Sequence, residues 1–192
     1  MNPFLGFNYT KAVSAEKEKL TMSEINSIEE LDLEENTLIW HCRNYFLFSF
    51  YMAGIRAGDL MQLRWSNITP DGRLEYRMGK TKKDRSIFIH AKAMGIISHY
   101  KKEDSNPTDY IFPLLDGTAI YAKAVSEEQK ATLPTKIIIK LTDSISSKNA
   151  LINKYLKKIA GKVDMPTKLT TPCRSKLTTS CRYFLTTPLL LS

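Results

Sequence analysis

The stretch "AGIRAGDLMQLRWSNI", residues 53–68, decides how this chain is read. An arginine follows a Gly-Ile step, a carboxylate lies three residues on, and leucines recur at positions 60 and 63. Residues three or four apart share a helix face, so Arg56 and Asp59 can stand side by side while Leu60 and Leu63 point inward. An acid beside an arginine can fix the guanidinium plane through charge-assisted hydrogen bonds, and a fixed guanidinium presents a two-pronged fork to a phosphate. The bland alternative is a surface ion pair worth at most about 1 kcal/mol. The local spacing alone favours that alternative, so the surroundings must decide.

Upstream, "TLIWHCRNYFLFSFYMAG" is apolar around most of its circumference, which predicts a central buried helix from about Glu34 to Ala53, stopped by Gly54. Before it, Thr21 and Glu24 have the spacing of a capping box and open a short helix with apolar residues at Ile25, Ile28 and Leu31. Downstream, the period changes to two. "WSNIT", "RLEYRMGK" and "RSIFIH" read as three antiparallel strands, with Pro70-Asp71-Gly72 as the turn between the first pair. "GKTKKD" forms a very basic tip between the second pair. "AKAMGIISHYKK" returns to helical spacing, and "SNPTDYIFPLL" is an extended, proline-interrupted connection. Residues 116–145 are open between a short strand at Ile137–Ile139 and a loose insertion. Ser146 or Ser147 then caps a helix that Gly161 ends.

Totals bound the function. The chain has 192 residues, 43% of them hydrophobic, enough for one sizeable domain. No apolar run approaches the roughly 18 residues of a membrane span, and the N-terminus lacks the order of a signal peptide, so a cytoplasmic protein is expected. Cys42, Cys173 and Cys181 are an odd number without CxxC spacing, and His41, His90 and His99 show no ligand spacing. Neither a disulfide framework nor a metal site is indicated. The formal net charge of +8 suits a polyanionic partner, nucleic acid foremost. Lys80, Lys82, Lys83 and Arg85 crowd the second hairpin, where they could meet DNA phosphates or merely guard a strand edge.

Order and context add more. "GIRAGDLMQLRWSNI", then "RMGKTKKDRSIFI" on a hairpin, then "YIFPLL", resembles the catalytic domain of the tyrosine recombinases, the phage-integrase family, and is most similar to integrases of mobile elements in Bacteroides-like bacteria. The resemblance runs from about Asn2 to Thr171. It implies an α+β fold: a mostly helical catalytic domain with a small three-stranded antiparallel sheet. It also implies a phosphoryl-transfer site on double-stranded DNA that needs no cofactor, worked by a tyrosine that forms a 3′-phosphotyrosyl bond. Arg56 matches the first phosphate-clamping arginine, Asp59 the acid beside it, and Lys80 the hairpin lysine that protonates the leaving 5′-oxygen. Arg85, nearer the third strand, is expected as a DNA-backbone contact, and the basic tip residues Lys82 and Lys83 as further DNA-binding residues.

The end departs from the family pattern. After "KLTT" at 168–171 the pattern requires His-x-x-Arg, but Pro172 and Ser175 stand at those places, and Arg174 lies one residue early. Tyr183 comes too soon for the family's nucleophile, so none is assigned. After Asp164 there is no acidic residue. A one-base shift in a permitted coding of Pro-Cys-Arg-Ser reads His-Val-Ala-Arg, which makes a frameshifted, early-ending integrase the expectation. On this reading residues 1–20 are a remnant of the linker from a missing DNA-clamping domain, 21–171 a partial catalytic domain, and 172–192 an aberrant tail. The expected function is DNA binding, at the nucleoid, without strand cleavage. The alternatives are a non-enzymatic partner that regulates or inhibits an intact recombinase, an enzyme that takes its tyrosine from another recombinase subunit, and a poorly folded product with no role.

Overall fold

The computed structural model describes residues 20–165 and 169–170. Helix α1, Met22–Glu30, starts where the sequence places it. The Thr21 hydroxyl accepts from the Glu24 N–H at 3.2 Å, and the Glu24 carboxylate accepts from the Thr21 N–H at 2.7 Å, so two otherwise orphaned donors are satisfied reciprocally. Ile25 and Ile28 are fully buried under it.

Helix α2, Leu38–Tyr51, is the centre of the molecule, with Thr37 as its N-cap. It begins later than expected because the chain turns through a left-handed Asn36 first. Phe46 and Phe50 share one face of the helix and Phe48 lies on nearly the opposite one, yet all three are excluded from solvent. A helix buried all round must be covered all round, and α1, α4 and α6 pack on it. Phe112, from the extended connection, closes the ring cluster edge-on to Tyr45 and Phe48, at 5.2 and 5.0 Å between ring centres.

The end of α2 sets the direction of everything that follows. Gly54 N–H bonds back to the Ser49 carbonyl at 2.8 Å and Ala53 N–H to the Phe50 carbonyl at 3.0 Å, the paired bonds of a Schellman stop. Both Ala53 (φ 55°) and Gly54 (φ 75°) are left-handed. Glycine suits such a backbone; alanine is strained there by about 1 kcal/mol or more. Replacement of Ala53 by glycine is therefore expected to stabilise the fold by up to about 1 kcal/mol, read as a rise in the urea midpoint at unchanged slope.

The sheet is smaller than expected. Strands β1, Arg73–Arg77, and β2, Asp84–Phe88, pair antiparallel in the register Arg73 to Phe88 through Arg77 to Asp84. The expected third strand, "WSNIT", does not form. Trp65–Asn67 coils into a 3-10 turn, leaving one bridge between Ile68 and Leu74. The cause is local competition from a polar side chain. Asn67 accepts from the Arg64 N–H at 2.8 Å and donates to the Glu75 carbonyl at 2.9 Å, so its side chain replaces a ladder bond. The turn at Pro70–Gly72 is present, with Gly72 at φ 76°.

Helix α3, Ala57–Leu60, follows the stop, and α4, Ala91–Ser98, follows β2. A short helix α5, Glu127–Ala131, capped by Ser126, leads into α6, Thr135–Lys162. Helix α6 corrects two expectations. Residues Ile137–Ile139 are helical rather than strand, and the helix starts after Pro134 rather than at Ser146 or Ser147. Its stripe runs through Ile137, Leu141 and Ile145 to the buried Ile152, Leu156 and Ile159. Three consecutive isoleucines look like strand, but only one per turn has to face inward. The architecture is α+β and mostly helical, with a two-stranded sheet. Among the described residues, no helix is long and apolar enough to cross a membrane.

Candidate nucleic-acid interface

The corner between α2 and α3 holds Arg56 out to solvent. The Ser49 hydroxyl donates to the Ile55 carbonyl, and Ile55 is buried, so the chain is pinned on either side of the turn. Arg56 then occupies the N-cap position of α3 with extended backbone and makes no capping bond with its side chain. Its side chain is exposed, and among the described residues its guanidinium has no hydrogen-bond or ion-pair partner.

Asp59 does something the sequence did not suggest. It forms no ion pair with Arg56; its Oδ1 accepts the Gly79 N–H of the hairpin tip at 3.0 Å. Its other oxygen is buried with no hydrogen-bond partner among the described residues. The approach is close enough that a Cβ built on Gly79 would stand 3.0 Å from Oδ1, tighter than ordinary contacts. Asp59 thus ties the helical corner to the residue immediately before Lys80.

A second stitch comes from Arg85. Its guanidinium donates to the Ala53 carbonyl and to the Tyr76 hydroxyl, each at 3.3 Å. Arg85 faces Tyr76 in the strand register and is half-buried, so its charge braces the hairpin against the end of α2. Burial pushes the Tyr76 phenol up, and the Arg85 charge and hydrogen bond pull the other way.

The hairpin tip closes through Met78 N–H to the Lys83 carbonyl and Lys82 N–H to the Met78 carbonyl, both at 2.9 Å, with Lys82 left-handed at φ 54°. Lys80 and Lys83 are exposed. Lys82 lies 3.8 Å from the Glu127 carboxylate of α5. Glu127 also accepts from Lys130 at 2.9 Å. That hydrogen bond, together with the charges of Lys130, Lys82 and Arg77, holds the Glu127 carboxyl below the ordinary carboxylate range. Between the hairpin, α3, α5 and α6 lies a cavity of about 480 Å³, with Arg77, Lys82, Glu127 and Lys130 among its lining and Leu133, Ile138 and Leu141 on its apolar side.

Sequence reasoning missed two residues here. Arg64 is 6% exposed, donates to the carbonyls of Thr108 and Ala122 and to the Tyr110 hydroxyl, and stacks 4.4 Å over the Tyr110 ring. The signal was an arginine directly after an inward-facing leucine and before Trp65, a place where a solvated arginine is out of keeping. Glu127 had no signal of its own, because nothing in "VSEEQKA" points to a particular neighbour.

His41 and His90 are held in the packing of the fold. His41 Nδ1 meets the Tyr100 hydroxyl at 2.9 Å, and burial lowers its pKa. His90 caps α4 and stacks on Tyr51. Burial pushes the Tyr45, Tyr51, Tyr100 and Tyr110 phenols up, which opposes a nucleophilic role. Burial likewise pushes the Cys42 thiol up to about 11. Among the described residues, no group of three His, Cys, Asp or Glu side chains is placed to hold a metal ion. Pro172, Cys173, Arg174, Ser175, Cys181 and Tyr183, and the segment 1–19, lie outside the described residues.

An exposed arginine at a helix corner, stitched to a lysine-bearing hairpin, is the arrangement expected of a domain that handles phosphodiesters. The phage integrase family model matches residues 18–140, well over half of the chain, and the chain belongs to this family, that of the tyrosine recombinases. A tyrosine recombinase XerC from Xanthomonas axonopodis pv. citri (strain 306) is 30% identical over 77 residues, 40% of this chain and 25% of that relative. The chain thus spans about a quarter of the length of the curated relative it matches. No solved structure matches the chain significantly.

Proposed function

We propose that this chain binds double-stranded DNA through the corner and the hairpin, and does not cleave it. Arg56 and Lys80 address one backbone phosphate, Asp59 holds the hairpin in place for them, and Lys82 and Lys83 reach neighbouring phosphates. Arg85 acts from behind as a brace. The observation that carries this reading is the Asp59–Gly79 bond: it joins the two cationic elements while leaving Arg56, Lys80 and Lys83 open to solvent. No resident metal is needed for this, because guanidinium and ammonium groups suffice to neutralise a phosphodiester.

The absence of cleavage rests on the sequence. Pro172 and Ser175 stand where a phosphate-binding His and Arg are required. Loss of one preorganised donor typically costs roughly 3–4 kcal/mol of transition-state stabilisation, a factor of several hundred in rate. We assign residues 21–171 to the integrase catalytic domain, whose work lies at the nucleoid, with other recombinase subunits as partners on the same DNA.

Anisotropy titration of a short duplex at increasing NaCl tests the binding. Affinity should fall steeply with salt, and replacing Lys80, Lys82 and Lys83 together by alanine should reduce the log–log slope by roughly 2 to 3, near 0.9 per phosphate contact. An unchanged slope would remove the hairpin from the interface. A nicked suicide duplex tests the second half: no covalent protein–DNA adduct should form. An adduct that disappears in Tyr183→Phe would overturn the non-cleaving reading.

A further inference from the structure

Glu127 sits in company that an ordinary surface acid does not keep. Lys130 bonds it at 2.9 Å, Lys82 approaches to 3.8 Å from the hairpin tip, and Arg77 from the end of β1 lines the same cavity mouth. Lys130 pairs with Glu127 at i,i+3 within α5, but Lys82 and Arg77 come from two other elements, so their arrival at that pair is a product of the fold. Glu128 also feels Arg77, but the cluster still holds three cations against two acids. Cations from separate elements repel one another unless an anion sits between them. The Glu127 carboxylate supplies one, and its side chain keeps 37% of its exposure, so water and solutes reach the same spot.

We propose that Arg77, Lys82 and Lys130 form a binding site for a backbone phosphate on the flank of the hairpin, and that Glu127 occupies it when no nucleic acid is bound. Helix α5 is then a displaceable plug. The site would extend the DNA contact from the tip of the hairpin along its side toward α5, and the plug would weaken binding to any polyanion that cannot displace it. An exposed ion pair is worth at most about 1 kcal/mol, which makes Glu127 easy to dislodge. This inference rests on the reading that the chain binds duplex DNA.

The test is Glu127→Gln, which keeps shape and removes the charge, with Glu127→Ala as a second variant. Both are measured by anisotropy on a short fluorescent duplex over a range of NaCl, with circular dichroism to show the fold intact. Both should bind roughly three- to tenfold tighter than the wild-type chain, with a salt slope steeper by about 1. Adding Lys82→Met should abolish most of the gain. Wild-type binding with no gain in either variant overturns the plug and leaves the DNA reading standing. No binding by the wild-type chain or by either variant overturns both. Binding that appears only in the variants supports both.

Discussion

Arg64→Met should lower the unfolding free energy by about 3–5 kcal/mol, enough to consume a large share of the margin of a domain this size. Methionine approximates the arginine stem in length and apolar character, so the change isolates the guanidinium. That group donates to two main-chain carbonyls, Thr108 and Ala122, and reaches the Tyr110 hydroxyl, all in a setting only 6% exposed. Buried ion pairs can often be exchanged for apolar residues at little cost, because both charges are removed together. Here the acceptors are backbone and stay behind unsatisfied, at about 1–3 kcal/mol each. Loss of the stacking over Tyr110 adds a smaller amount. Arg64→Lys should cost less, since one ammonium can satisfy one of the two carbonyls but cannot fork to both. Urea denaturation of the three proteins checks the order. If Arg64→Met unfolded within about 1 kcal/mol of wild type, the carbonyls would have to find water, and the view of residues 105–124 as held by Arg64 would fail.

That loop-holding role also shows where sequence reading runs out. The buried helix α2, the capping box at Thr21, the turn at Gly72 and the hairpin were all legible, because each depends on local pattern: apolar periodicity, a fixed cap spacing, a glycine where φ must be positive. The elements that went astray were those in which a distant contact outweighs the local pattern. "WSNIT" alternates like a strand, yet Asn67 bonds to Glu75 and Arg64 in place of a ladder. Ile137–Ile139 has strand composition, yet α6 needs Ile137 for a stripe that continues through Leu141 and Ile145. The site divides in the same way. Arg56, Asp59 and Lys80 could be singled out from their motifs. The partner of Asp59 could not, since an acid three residues from an arginine gives no hint that it will turn to an amide twenty residues away. Arg85, expected among the DNA contacts, faces Tyr76 in the register and is drawn inward to Ala53.

The Asp59–Gly79 contact yields the sharpest test of the site. Gly79→Ala adds only a methyl group, but it would stand 3.0 Å from Asp59 Oδ1, so the carboxylate must rotate away or the tip must lift. Either movement breaks the charge-assisted bond from the Gly79 N–H, at a cost of about 1.5–3 kcal/mol. Rotation is poorly accommodated, because the other carboxylate oxygen is already buried without a hydrogen-bond partner among the described residues. Lifting the tip carries Lys80 away from Arg56. Duplex affinity should then fall about tenfold or more, although neither Arg56 nor Lys80 has been touched. Asp59→Ala should produce a similar loss by releasing the tip from the other side. In the Asp59→Ala background, Gly79→Ala should do little further, so the two changes couple by about 1–2 kcal/mol in both urea stability and DNA binding. Additive losses in the double variant would mean that the contact does not transmit position from the helix corner to the hairpin. Arg56 and Lys80 would then have to be treated as separate DNA contacts, with no shared phosphate between them.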